Sequence, residues 1–140
     1  MYVADTGLMF FKFGLDPQTY LDAANRASLS PEFRGALAEN FVMQALKAQG
    51  LKTFYWMPDE KVGKGEVDFV FQDRLGRVVP VEVKSSRNVR AKSLNMLIER
   101  GRSPLACRLS ENNFGVTPLP GAACALKSLP LYAAFCIGEL

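Results

Sequence analysis

The chain contains no histidine. Ser-His-Asp and Cys-His nucleophilic catalysis, histidine-based nuclease chemistry and histidine zinc sites are therefore excluded within its 140 residues. Cysteine is sparse and odd in number. Cys107, Cys124 and Cys136 stand far apart among apolar residues and read as core or surface thiols of a reducing compartment, not as a disulfide framework. No apolar run reaches the length of a membrane span and the polar, acidic start is no signal peptide, so a cytoplasmic location away from membranes is the expectation. A nucleotide-binding loop is missing too. Lys61-Val62-Gly63-Lys64-Gly65 is glycine-rich and basic but lacks the six-residue spacing to Gly-Lys-Ser/Thr, so this chain alone is expected to have no ATPase activity. Net charge is only +3, and any nucleic-acid binding must come from local clustering of Lys and Arg.

Apolar residues make up 49% of the chain, enough for one compact domain over residues 1–140 with a real core. Ser30-Pro31-Glu32 predicts a helix start: a capping hydroxyl, a proline suited to the first helical position and an acid that complements the dipole. Phe33, Leu37, Ala38, Phe41, Val42, Ala45 and Leu46 form its apolar stripe, and Gly50 ends it. Glu39 falls at the edge of that stripe, either as a rim glutamate or as an acid reaching an inward site. Residues 1–8 read as an extended segment with a turn at Asp5-Thr6-Gly7, opening as a piece of a longer protein would, and residues 8–13 as a short helix or loop. Residues 51–56 and 104–109 read as strands and 89–100 as a helix burying Leu94, Leu97 and Ile98. Residues 129–137 read as a closing apolar strand or short helix. The order is strand, loop, helix, three strands, helix, strand and a final apolar element, which is α/β with a mixed sheet flanked by helices.

The chemistry-bearing stretch is residues 66–84. Glu66-Val67-Asp68-Phe69-Val70-Phe71 and Val78-Val79-Pro80-Val81-Glu82-Val83-Lys84 alternate in strand fashion around a polar turn, which predicts a hairpin. Side chains two apart share a face, so Glu66, Asp68 and Val70 oppose Val67, Phe69 and Phe71, while Pro80, Glu82 and Lys84 oppose Val79, Val81 and Val83. With Gly76 left-handed in the loop Arg74-Leu75-Gly76, the register sets Asp68 across from Glu82 and Glu66 across from Lys84. Opposed side chains are rooted roughly 5 Å apart, close enough for two carboxylates to hold one cation. Two acids in an apolar sheet are costly unless a metal or Lys84 neutralises them. The alternative is a solvated face carrying Glu66–Lys84 and Asp68–arginine ion pairs. Asp followed by Glu-x-Lys suits a hard divalent cation and phosphodiester chemistry, with an amine beside the attacking water. Five of residues 84–100 are basic (Lys84, Arg87, Arg90, Lys92 and Arg100), making a candidate phosphate-facing patch, to which Lys64 in the preceding loop adds charge.

Asp68, Glu82-Val83-Lys84 and the helical Glu39 together resemble the PD-(D/E)XK, or restriction-endonuclease-like, nuclease fold, whose α-β-β-β-α-β core matches the predicted order. More narrowly, five phrases in order are similar to the C-terminal domain of unknown function in prokaryotic AAA-type ATPases: Asp5-Thr6-Gly7-Leu8, Ala38-Glu39-Asn40-Phe41-Val42, Glu66-Val67-Asp68-Phe69, Pro80-Val81-Glu82-Val83-Lys84 and Pro130-Leu131-Tyr132-Ala133. The resemblance implies an ATPase module upstream in the full protein and a DNA substrate. It also implies Mg²⁺ or Mn²⁺ held by Asp68, Glu82 and the Val83 carbonyl, with Glu39 completing the site. Lys84 would then orient or deprotonate the attacking water, and Ser86, Arg87 and Arg90 would grip the backbone. A competing expectation is a nuclease fold retained as a non-catalytic module that docks DNA or a partner for the ATPase. Apolar residues near both ends could seal an interface with that ATPase or with another copy of the chain.

Overall fold

A computed structural model of the chain describes residues 2–59, 66–86, 92–101, 103–119 and 124–140. In chain order its elements are helices α1 (Thr6–Phe13), α2 (Pro17–Leu21), α3 (Ala23–Arg26) and α4 (Pro31–Ala48), then strands β1 (Thr53–Trp56), β2 (Val67–Gln72) and β3 (Val78–Val83). Helix α5 (Lys92–Gly101), strands β4 (Leu105–Ser110), β5 (Gly115–Pro118) and β6 (Ala125–Pro130), and a closing 3-10 helix (Leu131–Glu139) complete it. The six strands form one sheet in the order β1-β2-β3-β4-β6-β5. Pairing is antiparallel for β1/β2, β2/β3 and β5/β6 and parallel for β3/β4 and β4/β6, so the sheet is mixed. No helix among the described residues is long and apolar enough to cross a membrane.

Helix α4 organises one face of the sheet. The Ser30 hydroxyl accepts from the Phe33 N–H at 3.1 Å, and Pro31 opens the helix as its sequence predicts. At the other end Gly50 takes φ 72°, with Leu51 N–H donating to Leu46 and Gly50 N–H to Lys47, the paired bonds that close a helix on a left-handed residue. Ala38, Val42 and Leu46 pack against Phe69, Phe71, Val79, Val81 and Val83 of the hairpin. Leu94, Leu97 and Ile98 of α5 cover the opposite face with Val67, Ala106 and Leu126. A third cluster joins Met9 and Phe10 of α1 to Phe33 and Leu37.

The hairpin keeps the predicted register. Phe69 pairs with Val81 and Gln72 with Val78, around a turn in which Gly76 has φ 74°. Asp73 fixes that turn by accepting from the N–H groups of Leu75 and Arg77, each at 2.9 Å.

Several expectations are corrected. The start is not a strand followed by a turn: Asp5 caps α1, its carboxylate accepting from Gly7 N–H at 2.6 Å, so the apparent turn is a helix start. Phe41 is exposed, and Asn40 lies in the core in its place at 2% exposure, accepting from Val3 N–H at 2.8 Å. Strands β5 and β6 were not expected: Gly115–Pro118 is a four-residue run bounded by glycine and proline, and Ala125–Pro130 carries a lysine and a serine among its apolar residues. Strict alternation along β2 also fails. Phe54 pairs with Val70 but Trp56 with Val67, so Tyr55 alone faces both Asp68 and Phe69, and this bulge turns Val67 toward α5 with Val70.

Gln49 ties the C-terminal segment to α4. Its amide nitrogen donates to the carbonyls of Ala45 and Ala134, at 2.8 and 2.9 Å, and its oxygen accepts from Gly138 N–H at 2.9 Å. Gln49→Ala strands two of those backbone groups and is expected to cost about 1–3 kcal/mol. Hydrogen exchange is the check: amides of residues 131–139 lose protection ahead of the β2–β3 hairpin, and unchanged protection there removes this role.

Candidate functional site

The ordered hairpin pairing stops at Phe69 and Val81. Beyond it the next free donor on β3, the Val83 N–H, is taken by the Asp68 carboxylate at 2.6 Å, so a side chain stands in the seam where a ladder bond would continue. The β2 bulge against Tyr55 lies at this same position, and a bulge re-aims the side chain it carries. Glu82 follows on β3, on the face opposite Val81 and Val83, with only 4% of its surface exposed. Its Oε1 meets the Lys84 ammonium at 2.5 Å, and its Oε2 is buried without a hydrogen-bond partner. The pairing is therefore Glu82–Lys84 along one strand rather than the cross-strand Glu66–Lys84 pair considered from sequence. Glu66 lies just before β2 and is exposed.

Helix α4 brings Glu39 into a hollow shared with Asp68. Glu39, Glu66 and Asp68 line a hollow of about 300 Å³ with Tyr2, Met43 and Tyr55. Burial, then the charge of Glu66, raises the Glu39 carboxyl above the ordinary range. Asp68 is pushed up to about 7, chiefly by burial, with the charges of Glu82 and Glu39 adding to it and the Val83 N–H and Lys84 opposing. Burial works against the Lys84 ammonium, but the Glu82 hydrogen bond and the charges of Glu82, Asp68 and Glu39 outweigh it and hold that ammonium protonated. Lys84 is a firm cation in this arrangement. The base role considered from sequence would need a bound cation to reverse that balance.

The structure thus brings Glu39, Asp68, Glu82 and Lys84 within electrostatic reach of one another, with the Val83 backbone between them. Most of the expected nucleic-acid contacts fall outside the described residues. Lys64, Arg87 and Arg90 lie outside the described residues, Lys92 opens α5 with its side chain outside them, and Ser86 is exposed on the bend after Lys84.

Two further residues belong to the cluster and were not anticipated. Tyr2 packs its ring on Phe69 at 5.6 Å, and its phenol is pushed up to about 12, first by burial and then by Glu39, Asp68 and Glu66. Its signal in the sequence is Asn40, whose buried amide pins the neighbouring Val3 to α4. Arg108 lies beside Glu82 in the parallel β3/β4 register, with its Nε buried and unpartnered. Burial lowers the Arg108 guanidinium and Glu82 opposes that shift.

Among the described residues no three acids or thiols converge closely enough to grip an ion as the side chains stand. Magnesium, however, commonly takes one or two carboxylates and keeps several waters. The buried oxygen of Glu82, unpartnered among the described residues and beside Asp68, is hard-oxygen chemistry of that kind.

A family model matches residues 34–116, more than half of the chain, spanning α4 to β5 and every acid of the cluster. The chain belongs to the DUF4143 family, a domain of unknown function. No curated protein matches the sequence. The matched part of this DUF4143 chain contains Glu39, Asp68, Glu82, Lys84 and Arg108, while Tyr2 lies before it.

An acid whose folded pKa exceeds its unfolded value binds its proton more tightly in the native state. The contribution of Asp68 to stability is thus greatest below about pH 4 and is lost as pH rises toward 7. Asp68→Asn keeps an oxygen for the Val83 N–H and removes the charge. Its melting temperature is expected to exceed that of the parent chain at pH 8, by on the order of 2 kcal/mol of stability, and to converge with it near pH 4. Parallel melting curves across that range would show that burial of this carboxylate carries no such cost.

Proposed function

We propose that this DUF4143 chain is a restriction-endonuclease-like, PD-(D/E)XK nuclease domain that hydrolyses phosphodiester bonds in DNA with Mg²⁺ or Mn²⁺. In the full protein it forms the C-terminal domain, attached to an AAA-type ATPase. The observation that carries the reading is the buried Glu82 oxygen, unpartnered among the described residues, in a cluster where two cations, Lys84 and Arg108, face Glu39, Glu66, Asp68 and Glu82. Such a surplus of negative charge is costly unless a cation offsets it. The run α4-β1-β2-β3-α5-β4, with an antiparallel β1-β2-β3 ribbon joined in parallel by β4, supports the nuclease-like core.

In this assignment Asp68, Glu82 and the Val83 carbonyl would hold the cation, with Glu39 contacting it directly or through water. When bound, the cation would supply positive charge for the phosphate and acidify water. Hydrolysis joins a water oxygen to phosphorus and breaks one phosphorus–ester oxygen bond. One water proton leaves for a base, and the departing alkoxide takes up a proton. Lys84, held protonated beside Glu82, donates to a phosphate oxygen and stabilises the charge that builds there.

The Glu82–Lys84 ion pair itself favours a second reading, in which the site is spent on an internal contact and the domain binds DNA or a partner for the ATPase without cleaving. Calorimetric Mn²⁺ titration separates the two. Saturable binding that falls by about tenfold or more in both Asp68→Ala and Glu82→Ala is expected, and binding unaffected by either substitution ends the metal assignment. Cleavage of single-stranded, duplex or branched DNA should disappear with Glu82→Ala, and activity surviving that change comes from a contaminant.

A further inference from the structure

The hollow beside the acids has two kinds of wall. Glu39, Glu66 and Asp68 provide carboxylates, while Tyr2, Tyr55 and Phe69 provide aromatic surface. Tyr55 stands on edge strand β1 opposite Asp68 and Phe69, at the bulge, with 72% of its surface exposed. Its neighbour two positions away, Thr53, meets Met43 of α4 through its hydroxyl at 3.7 Å, so strand alternation puts Tyr55 on the same side of the sheet as the hollow. No ring contact or hydrogen bond occupies Tyr55 among the described residues.

In the nuclease reading Asp68 and Glu39 are committed to the cation that meets the phosphate, which leaves Glu66 as the carboxylate of this hollow free to accept from another group. Positive charge lies beside Glu82, at Lys84 and Arg108. What the hollow suits is a flat, uncharged ring whose faces stack on tyrosine and whose edge carries N–H donors for carboxylates. Nucleobases with exocyclic amino groups have both features, and acids accept from such amines in base recognition. Paired bases do not offer them, because their faces are stacked and their amino groups are already bonded.

We propose that the Tyr2–Tyr55 hollow is a nucleobase subsite that takes an unpaired base bearing an exocyclic amino group, so that the strand acted on is single-stranded at the site. The inference rests on the nuclease reading, since the base enters on the chain whose phosphate meets Lys84. Adenine, cytosine and guanine qualify. Thymine and uracil offer a single N3–H flanked by two carbonyl oxygens that a carboxylate repels, so they fit less well.

Fluorescence anisotropy of the full chain with short oligo-dC, oligo-dT and duplex probes tests this, in EDTA and again in Ca²⁺. Oligo-dC is expected to bind more tightly than oligo-dT or duplex. Tyr55→Ala should weaken oligo-dC binding about tenfold, the loss of one stacked base, and Tyr55→Phe should restore it. Equal binding of dC and dT, preference for duplex, or an unchanged Tyr55→Ala in both buffers overturns the subsite. A shift in oligomeric state with Tyr55→Ala also overturns it, by making the ring a contact between copies. The Mn²⁺ titration reports on Asp68 and Glu82 separately, so loss of the metal site and loss of the base subsite are told apart.

Discussion

A surplus of carboxylate in the seam between two strands is the constraint on which this structure turns. Glu82 is nearly sealed from solvent, Asp68 is buried enough to be pushed up to about 7, and the one ammonium of Lys84 acts on both, with Arg108 beside Glu82. Placing charge in such surroundings costs several kcal/mol per ion unless it is matched, so the rest of the fold has to supply the stability that this seam does not. It does so from both faces. Val79, Val81 and Val83 pack under α4 and the closing helix, and Val67 packs under α5 with Ala106 and Leu126. The hairpin is thus clamped by apolar burial on each side of an electrostatically unfavourable line.

The same clamping explains how groups distant in sequence meet. Helix α4 presents Glu39 and Asn40 in succession: one lines the hollow and the other lies in the core, where it holds the segment that delivers Tyr2. On the opposite side of the hairpin, the parallel β3/β4 pairing brings Arg108 level with Glu82. Neither arrangement is local. Both depend on the sheet order, which makes β3 the neighbour of an antiparallel strand on one side and of a parallel strand on the other.

That difference between local and non-local determinants also explains how much could be read from sequence. The hairpin register followed from alternation plus one left-handed glycine, and α4 followed from a capping serine, a proline and a periodic stripe, because each signal sits beside the structure it specifies. The bulge at Asp68 was hidden, since it depends on how β1 pairs with β2, and sequence spacing within β2 carries no trace of it. Asp5-Thr6-Gly7 was misread because the residues that favour turns also favour helix caps. Convergence of Glu39 with the hairpin acids was anticipated from a family likeness. Tyr2 and Arg108 were not, because their places are set by a buried amide and by a parallel register that a single chain does not advertise.

The charge imbalance bears on whether the site is spent. A cluster kept only for packing gains by closing on itself: an apolar residue at position 82 would fill the same space without desolvating an anion, and such replacements are often neutral or stabilising. The Glu82–Lys84 pair accounts for one oxygen of Glu82 and leaves the other bare, while Asp68 and Glu39 are both raised by burial and by neighbouring charge. An ion pair that satisfied the site would leave no such remainder. The remainder has the sign a divalent cation neutralises: Asp68 and Glu39 line an acidic hollow with aromatic walls, and Glu82 has Lys84 and Arg108 beside it. In the nuclease reading proposed above, that polarity would give a nucleotide two different surfaces to meet, one for its base and one for its phosphate, and on that reading the imbalance favours a ligand over a relic.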